Sequence, residues 1–398
     1  MSSQFPFNLA VIMQFYSGLN QIIKTNEWSH SGSPAYFNFI QGLELSKDFN
    51  YQLILLSTFK DNKKIQHLML NNLEKDVVIV PYYPLLMSSR FRFIKKIENF
   101  YNKVRQYFAV IRLTKTVKYY YIDRDNILFS YFVLRFRNAK VVVRLLGVTE
   151  NLYEHLTIRN NIFSKVIKWV FNHPDVNIIC TNDGSYAEVT KNQYNNKFHL
   201  LFNGVDTNLK RNFQLGKRLK VVYLSRIVGN KGHEDFINGI AKSNLINKLD
   251  VKIIGDGGLK NNMEAISSNL HLDECINFMG RLSHHEAIDE LSRADLVISI
   301  NYDGVYGNVV LEASQMSIPV IVLEHPECRS GSLYNLLELK RDIRLADGIA
   351  KLLRKAVNDR VWLGDLGKRS EQFSSKYLFS WDQRIELEML IIKRFFSN

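Results

Sequence analysis

The sequence predicts an α/β protein built from two successive open, largely parallel sheets that face a central cleft. Short apolar, β-branched or aromatic runs alternate with longer segments of helical period, the cadence of strands each followed by a covering helix. That cadence breaks once, at the polar stretch 206–217, and then restarts. A chain of 398 residues is also long enough for two cores of ordinary domain size. In order, the runs predict strands over 9–13, 52–57, 77–80, 119–122, 140–144, 177–181 and 198–202. After the break they predict strands over 220–224, 251–254, 276–279, 296–300 and 319–323. Sheets of this kind bind ligands beyond the carboxyl ends of their strands, so the cleft between them is the expected active site.

Composition removes several function classes. With 46% apolar and 23% charged residues, 20 Gly and 7 Pro, the chain is neither fibrous nor disordered. Cys180, Cys275 and Cys328 stand far apart, which leaves no disulfide framework and no cysteine-built zinc site, and a reducing, cytosolic setting fits best. No run of about 18 uncharged apolar residues is present, so no transmembrane span is expected. The first basic residue is Lys24, unlike the start of a signal peptide. Charge is uneven: residues 1–200 hold 25 Lys and Arg against 14 Asp and Glu, whereas residues 201–398 hold 27 against 25. The excess is densest over 88–118, where nine basic residues face the single acid Glu98.

Two segments of the second half concentrate chemistry. After the expected strand 220–224, Arg226 and Lys231 flank a Gly-Asn turn that opens a helix, so two cations and free backbone N–H groups meet where a diphosphate would be held. The alternative is a pair of solvated loop charges. Downstream, Tyr302-Asp303-Gly-Val-Tyr-Gly307-Asn308-Val309-Val310-Leu-Glu312 places a glycine-bearing loop between a strand and a helix start. Such a loop lets amides approach phosphate. Glu312, one turn into the helix, is placed to accept hydrogen bonds from a ribose diol, or is an ordinary glutamate favoured by the helix dipole.

In order and spacing, these motifs resemble the donor domain of the family-four, retaining, GT-B glycosyltransferases. They run from Phe202-Asn-Gly204-Val-Asp206 through Arg226 and Lys231, Ile254-Gly-Asp-Gly257, Phe278-Met-Gly280-Arg281-Leu282, Ala294-Asp295, and Asn308 to Ala313 with Pro319-Val-Ile321. They end at Phe379-Ser-Trp381-Asp-Gln-Arg384. The resemblance implies two Rossmann-like domains, 1–205 on the acceptor side and 206–378 binding a nucleotide-sugar. A last helix, 379–398, crosses back to the first domain. It implies that Arg226 and Lys231 neutralise the donor diphosphate and Glu312 holds the ribose. Arg281 and Leu282 would edge the base, Gly307 would bind the donor, and Asn308, Val309 and Val310 would supply N–H groups to phosphate. The loop with Gly32 and Ser33 would face the donor, although Ser33 as helix cap before Pro34 explains that loop equally.

The chain departs from the family pattern twice. Eight residues before Glu312 stands Gly304 rather than an acid, with Asp303 the nearest carboxylate, and Leu146 occupies the place of a histidine found before Gly147 in many relatives. Asp123-Arg124-Asp125 has the form of a metal-binding D-x-D of the unrelated GT-A enzymes, but the donor motifs lie at the other end of the chain. No metal or other cofactor is expected. His284-His285 opens a helix in a polar run and is expected on the surface.

The implied reaction is sugar transfer from a UDP- or GDP-sugar to an acceptor hydroxyl with retention, the acceptor being a saccharide or a lipid-linked saccharide of surface polysaccharide assembly. The alternatives are a nucleotide-sugar epimerase of the same fold and, remotely, a nucleic-acid-binding protein suggested by pI 9.4; no nucleic-acid partner is expected. Between Phe91 and Leu113, apolar residues recur at spacings of three and four on a basic helix. Either that apolar face covers the first sheet, or residues 90–118 bring a cytoplasmic, peripheral enzyme to the anionic inner face of the membrane.

Overall fold

A computed structural model of the chain describes residues 7–14, 34–57, 77–83, 92–212, 216–324, 334–341 and 344–398. The first half runs β1 (Phe7–Gln14), α1 (Pro34–Leu45), β2 (Phe49–Leu56), β3 (Val77–Val80), α2 (Arg92–Leu113) and β4 (Tyr119–Asp123). It continues through α3 (Ile127–Phe136), β5 (Lys140–Leu145), α4 (Glu150–Leu156), α5 (Ile162–Asn172), β6 (Val176–Thr181), α6 (Ala187–Tyr194) and β7 (Phe198–Leu201). The second half runs β8 (Leu219–Leu224), α7 (His233–Ser243), β9 (Leu249–Ile254), α8 (Lys260–Asn269), β10 (Ile276–Gly280), α9 (His284–Ser292) and β11 (Leu296–Ser299). Then come α10 (Asn308–Gln315), β12 (Val320–Leu323), β13 (Leu337–Leu339), α11 (Leu345–Asn358), α12 (Arg360–Tyr377) and α13 (Trp381–Ser397).

All strand pairs among the described residues are parallel. The strands form a seven-stranded sheet of order β3-β2-β1-β4-β5-β6-β7 and a six-stranded sheet of order β10-β9-β8-β11-β12-β13. Strand order reverses between β1 and β4 in one and between β8 and β11 in the other, the positions where such sheets open a crevice for ligands. The expected strands are all present; β13, a three-residue edge strand, is an addition.

Parallel strands are covered on both faces, which is why they read as apolar runs. Alternation then sorts side chains between two layers. Ala10, Ile12, Tyr120, Ile122, Val141 and Val143 join the core under α2 to α5. Leu9, Val11, Tyr121, Val142 and Ile179 join the opposite core with α1 and, from the far end of the chain, Ile385, Ile392 and Phe396 of α13. The last helix therefore belongs to the first sheet, as the resemblance implies.

Charge fixes α13 there. Glu388 is fully buried; its Oε1 lies 3.3 Å from Arg144 Nε of β5 and accepts from Tyr121 OH at 2.6 Å, while its Oε2 accepts from Arg384 Nη1 at 2.5 Å. Burial pushes the Glu388 carboxyl up, and the two guanidiniums more than offset that and hold it below its ordinary value. Arg384 Nε donates to the Phe202 carbonyl at 2.8 Å, tying the same helix to the chain as it leaves the first sheet. Beside it, Val205 pairs with Ser380 and donates its N–H to Phe379 at 3.0 Å, so the two connections between the halves touch. A side chain at Gly204 would meet Trp381 Cα at 2.6 Å.

Removing one partner from a buried ionic cluster leaves the others uncompensated, at about 3–5 kcal/mol. Glu388→Ala is expected to lower the denaturant midpoint accordingly, whereas Glu386→Ala, exposed on the same helix, is expected to shift it little. Equal shifts in urea unfolding would contradict this account of α13.

Candidate functional site

The reversal point of the second sheet brings together the loops that follow β8 and β11. After β8 the chain passes Ser225 and Arg226, makes a single 3-10 turn over Gly229–Lys231 and enters α7 through Gly232. After β11, Asn301 folds its own loop: its amide accepts the Asp303 N–H at 3.1 Å and donates to the Val305 carbonyl at 2.9 Å. The two loops are then joined, because Tyr302 N–H donates to the Asn230 carbonyl at 2.9 Å and Asn230 Nδ2 donates to Asp303 Oδ2 at 2.5 Å. Asp303 thus stands beside the cations rather than apart from them.

Arg226 is exposed and Lys231 half-buried. Burial lowers the Lys231 ammonium pKa, Asp303 opposes that, and the positive charge of Arg226 adds to it. Two cations are held here close enough to repel each other, an arrangement that an anion between them would relieve. The neighbouring β9 loop presses against this one: Gly255 has φ +145°, and a Cβ there would stand 1.9 Å from the Ser225 carbonyl oxygen. Only glycine permits that approach.

Gly307 is the extended cap residue of α10 and Asn308 its first residue. Asn308 Oδ1 accepts from Asn203 Nδ2 at 2.9 Å. The expectation that Val310 supplies a free N–H is corrected, because that group already donates to the Gly307 carbonyl at 3.0 Å. Glu312 is largely buried, with its carboxyl pushed up by desolvation, and its Oε1 lies 4.0 Å from His284 Nε2. His284 is exposed as expected, but its contact with Glu312 was not read from the sequence. Arg281 is exposed and Leu282 half-buried, just before Ser283 caps α9 reciprocally with Glu286. Gly32 and Ser33 lie outside the described residues.

Across the cleft, β6 ends in a turn that the sequence reading overlooked. The Asp183 carbonyl accepts the Tyr306 N–H, and Gly184, at φ +78°, packs so closely that a Cβ would stand 2.8 Å from the Gly304 carbonyl oxygen. The Asp183 carboxylate accepts from Ser185 Oγ at 2.5 Å and covers Gly147. Burial pushes it up to about 6, with Ser185 opposing, and it adds a favourable interaction to Lys231. Asn182 Nδ2 donates to Tyr334 OH at 2.5 Å, a second link between the halves. The run Thr181-Asn182-Asp183-Gly184-Ser185 at a strand end was the available signal.

The two acids of Asp123-Arg124-Asp125 diverge. Asp123 is buried and accepts from Gln14 N–H at 2.5 Å and Asn126 Nδ2 at 2.7 Å, while Lys103 Nζ donates to Gln14 Oε1 at 2.6 Å and Asn126 Oδ1 at 2.9 Å. Burial pushes the Asp123 carboxyl up to about 6. Asp125 is exposed and pairs with Arg124 at 3.6 Å. Asp123 therefore pins the reversal point of the first sheet. Leu146 is half-buried against the apolar layer that includes α13.

The family model of glycosyl transferases group 1 matches residues 204–362. The N-acetyl-alpha-D-glucosaminyl L-malate synthase of Bacillus anthracis is 24% identical over 198 residues, 46% of this chain; the match spans 49% of that curated relative, about half its length. Among solved structures, Anabaena HepE in complex with UDP is similar over 98% of this chain and 100% of its own, with TM-score 0.67 and 13% identity. Sucrose-phosphate synthase of Thermosynechococcus elongatus is similar over 98% and 99%, with TM-score 0.67 and 15% identity. These structural likenesses show the fold.

Asp123→Ala is expected to leave buried donors without an acceptor, at about 1–3 kcal/mol of stability, and to leave UDP affinity unchanged. Thermal melts and calorimetric titration with UDP read the two effects; lost UDP affinity with an unchanged melt would give Asp123 a direct role in binding.

Proposed function

We propose, for a chain with a GT-B fold whose residues 204–362 match the family model of glycosyl transferases group 1, that it transfers a sugar from a nucleotide-sugar to an acceptor hydroxyl with retention at the anomeric carbon. The observation that carries this reading is that the loop of Arg226 and Lys231 is joined, through Asn230, to the Tyr302–Asp303 loop that leads into the Gly307–Asn308 helix start at the reversal point of the second sheet. Negative charge grows on the departing diphosphate as the glycosidic bond breaks. Cations and N–H groups already aimed there stabilise the transition state more than the ground state. Arg226 and Lys231 supply the charge without a metal, and Gly307, Asn308 and Val309 supply backbone donors, Val310 contributing packing.

Glu312 holds the ribose diol and the backbone at Arg281 and Leu282 edges the base. Asp303, exposed beside the cations, is the carboxylate that meets sugar hydroxyls. UDP, bound by HepE, is the first nucleotide to test, with GDP the alternative. The acceptor is a saccharide or a lipid-linked saccharide of surface polysaccharide assembly, met by a peripheral enzyme at the inner face of the cell membrane. Among the described residues no helix is long and apolar enough to cross a membrane.

Arg226→Ala and Lys231→Ala are each expected to remove a charged hydrogen bond to diphosphate, on the order of 1.5–3 kcal/mol or about ten- to over a hundredfold in donor affinity or rate. Calorimetry with UDP, and transfer from a panel of UDP- and GDP-sugars with EDTA present, test this. Unchanged UDP binding in both variants would refute the site, and a strict metal requirement would refute the metal-free leaving-group role.

A further inference from the structure

Helix α2 seats Tyr107 and Val110 of its carboxyl-terminal half in the core against the sheet, but much of its apolar stripe faces outward. Its inward side carries Glu98, Asn102 and Gln106, all buried. Gln106 Nε2 donates to the Ser57 and Val80 carbonyls at 2.9 and 3.1 Å, and Asn102 Oδ1 accepts the Tyr83 N–H at 2.9 Å. These groups satisfy backbone at and just beyond the ends of β2 and β3, and Lys103 is spent inward as well. The outward side instead shows Ile97, Phe100 and Phe108, which are 54%, 68% and 61% exposed.

This apolar surface continues onto two neighbours. Beneath the surface the buried Tyr107 of α2 meets Phe132 of α3 at 6.0 Å, which sets the two helices side by side, and at the surface Tyr131 of α3 meets Trp169 of α5 at 5.0 Å. Phe136 on α3 and Ile162 on α5 are 71% and 84% exposed. Of the fifteen exposed large apolar side chains among the described residues, nine lie on these three helices. Single exposed apolar residues are normal, but a concentration of them on one face needs a partner.

Charge selects the partner. The three helices hold nine Lys and Arg and one acid, Glu98, and that acid is buried. Exposed cations such as Arg105, Arg112, Arg135 and Lys165 therefore flank apolar rings with no carboxylate of these helices shown to solvent. A complementary surface must be anionic and must also accept aromatic side chains, as a lipid interface does.

We propose that the outer face of α2, α3 and α5 docks on anionic membrane, with the cations at the headgroups and Phe100, Phe108, Phe136 and Trp169 entering the interface. This deepens the proposed encounter with a lipid-linked acceptor and rests on that reading for its purpose, whereas its test involves no transfer.

The full chain is floated with phosphatidylcholine vesicles and with vesicles in which about a third of the lipid is phosphatidylglycerol. Binding is expected on the anionic vesicles alone and is expected to weaken with salt. Arg135→Gln combined with Lys165→Gln is expected to lower the partition coefficient about ten- to thirtyfold, at about a kcal/mol per cation. Phe100→Ser combined with Phe108→Ser is expected to lower it at least about tenfold through lost apolar insertion. Lys248→Gln with Lys351→Gln in the second half is expected to change nothing, and melting curves confirm that every variant is folded. Absent binding, equal binding to phosphatidylcholine, or no effect of the α3 and α5 changes would overturn the proposal. A dimer dissolved by Phe108→Ser would assign the face to a second copy instead. UDP titration of the same variants reads the diphosphate site separately, so either assignment can fail alone.

Discussion

The buried cluster of Arg144, Glu388 and Arg384 is the constraint on which the two-domain arrangement depends. Ions removed from water are costly, and only mutual attraction with well-made hydrogen bonds offsets that cost. Here one carboxylate receives two guanidiniums and a tyrosine hydroxyl, and one guanidinium continues to the Phe202 carbonyl. A helix placed one turn away along its axis would keep the Arg384–Glu388 pair, which lies within α13, but would part Glu388 from Arg144 and Tyr121 and Arg384 from the Phe202 carbonyl, so the cluster favours one seat for α13.

With α13 seated, the reversal points of the two sheets can oppose each other, and their loops are built for different tasks. The second half gathers cations beside a helix start. The first half contributes a pinned strand end at Asp123, held by Gln14, Asn126 and indirectly Lys103, and a turn whose Asp183 and Gly184 lie against Gly304 and Tyr306. Rigid strand ends hold the separation of the loops, and the loops hold the chemistry.

Strand positions were legible because parallel strands buried on both faces leave unbroken apolar runs. β13 was missed because Leu337-Glu-Leu339 is short, lies at an edge and lacks β-branched residues, so it reads as helix or loop. Arg226, Lys231, Gly307 and Asn308 were legible as a candidate site because they are adjacent in sequence to strand ends and helix starts. Asp183 was not, since a turn of Asn, Asp, Gly and Ser is written the same way whether it faces solvent or another domain. Helix α2 shows a related limit: its apolar stripe was read from spacing, but spacing does not say which side meets the sheet. That was decided by Gln106 and Asn102, which find backbone partners at Ser57, Val80 and Tyr83.

The two peptide segments that join the halves run together, Val205 bonded to Phe379 and Gly204 against Trp381. A body attached at two well-separated points is braced; one attached at a single point is free to swivel about it. Because both connections pass through one place, the lobes share a pivot, and resistance to rotation comes from whatever bridges the cleft mouth, chiefly the turn at Asp183 and the Asn182–Tyr334 bond. The Asp183 bridge joins the loops that follow β6 and β11, next to Asp303, so the contact between the halves and the candidate site are built from the same short stretch of chain.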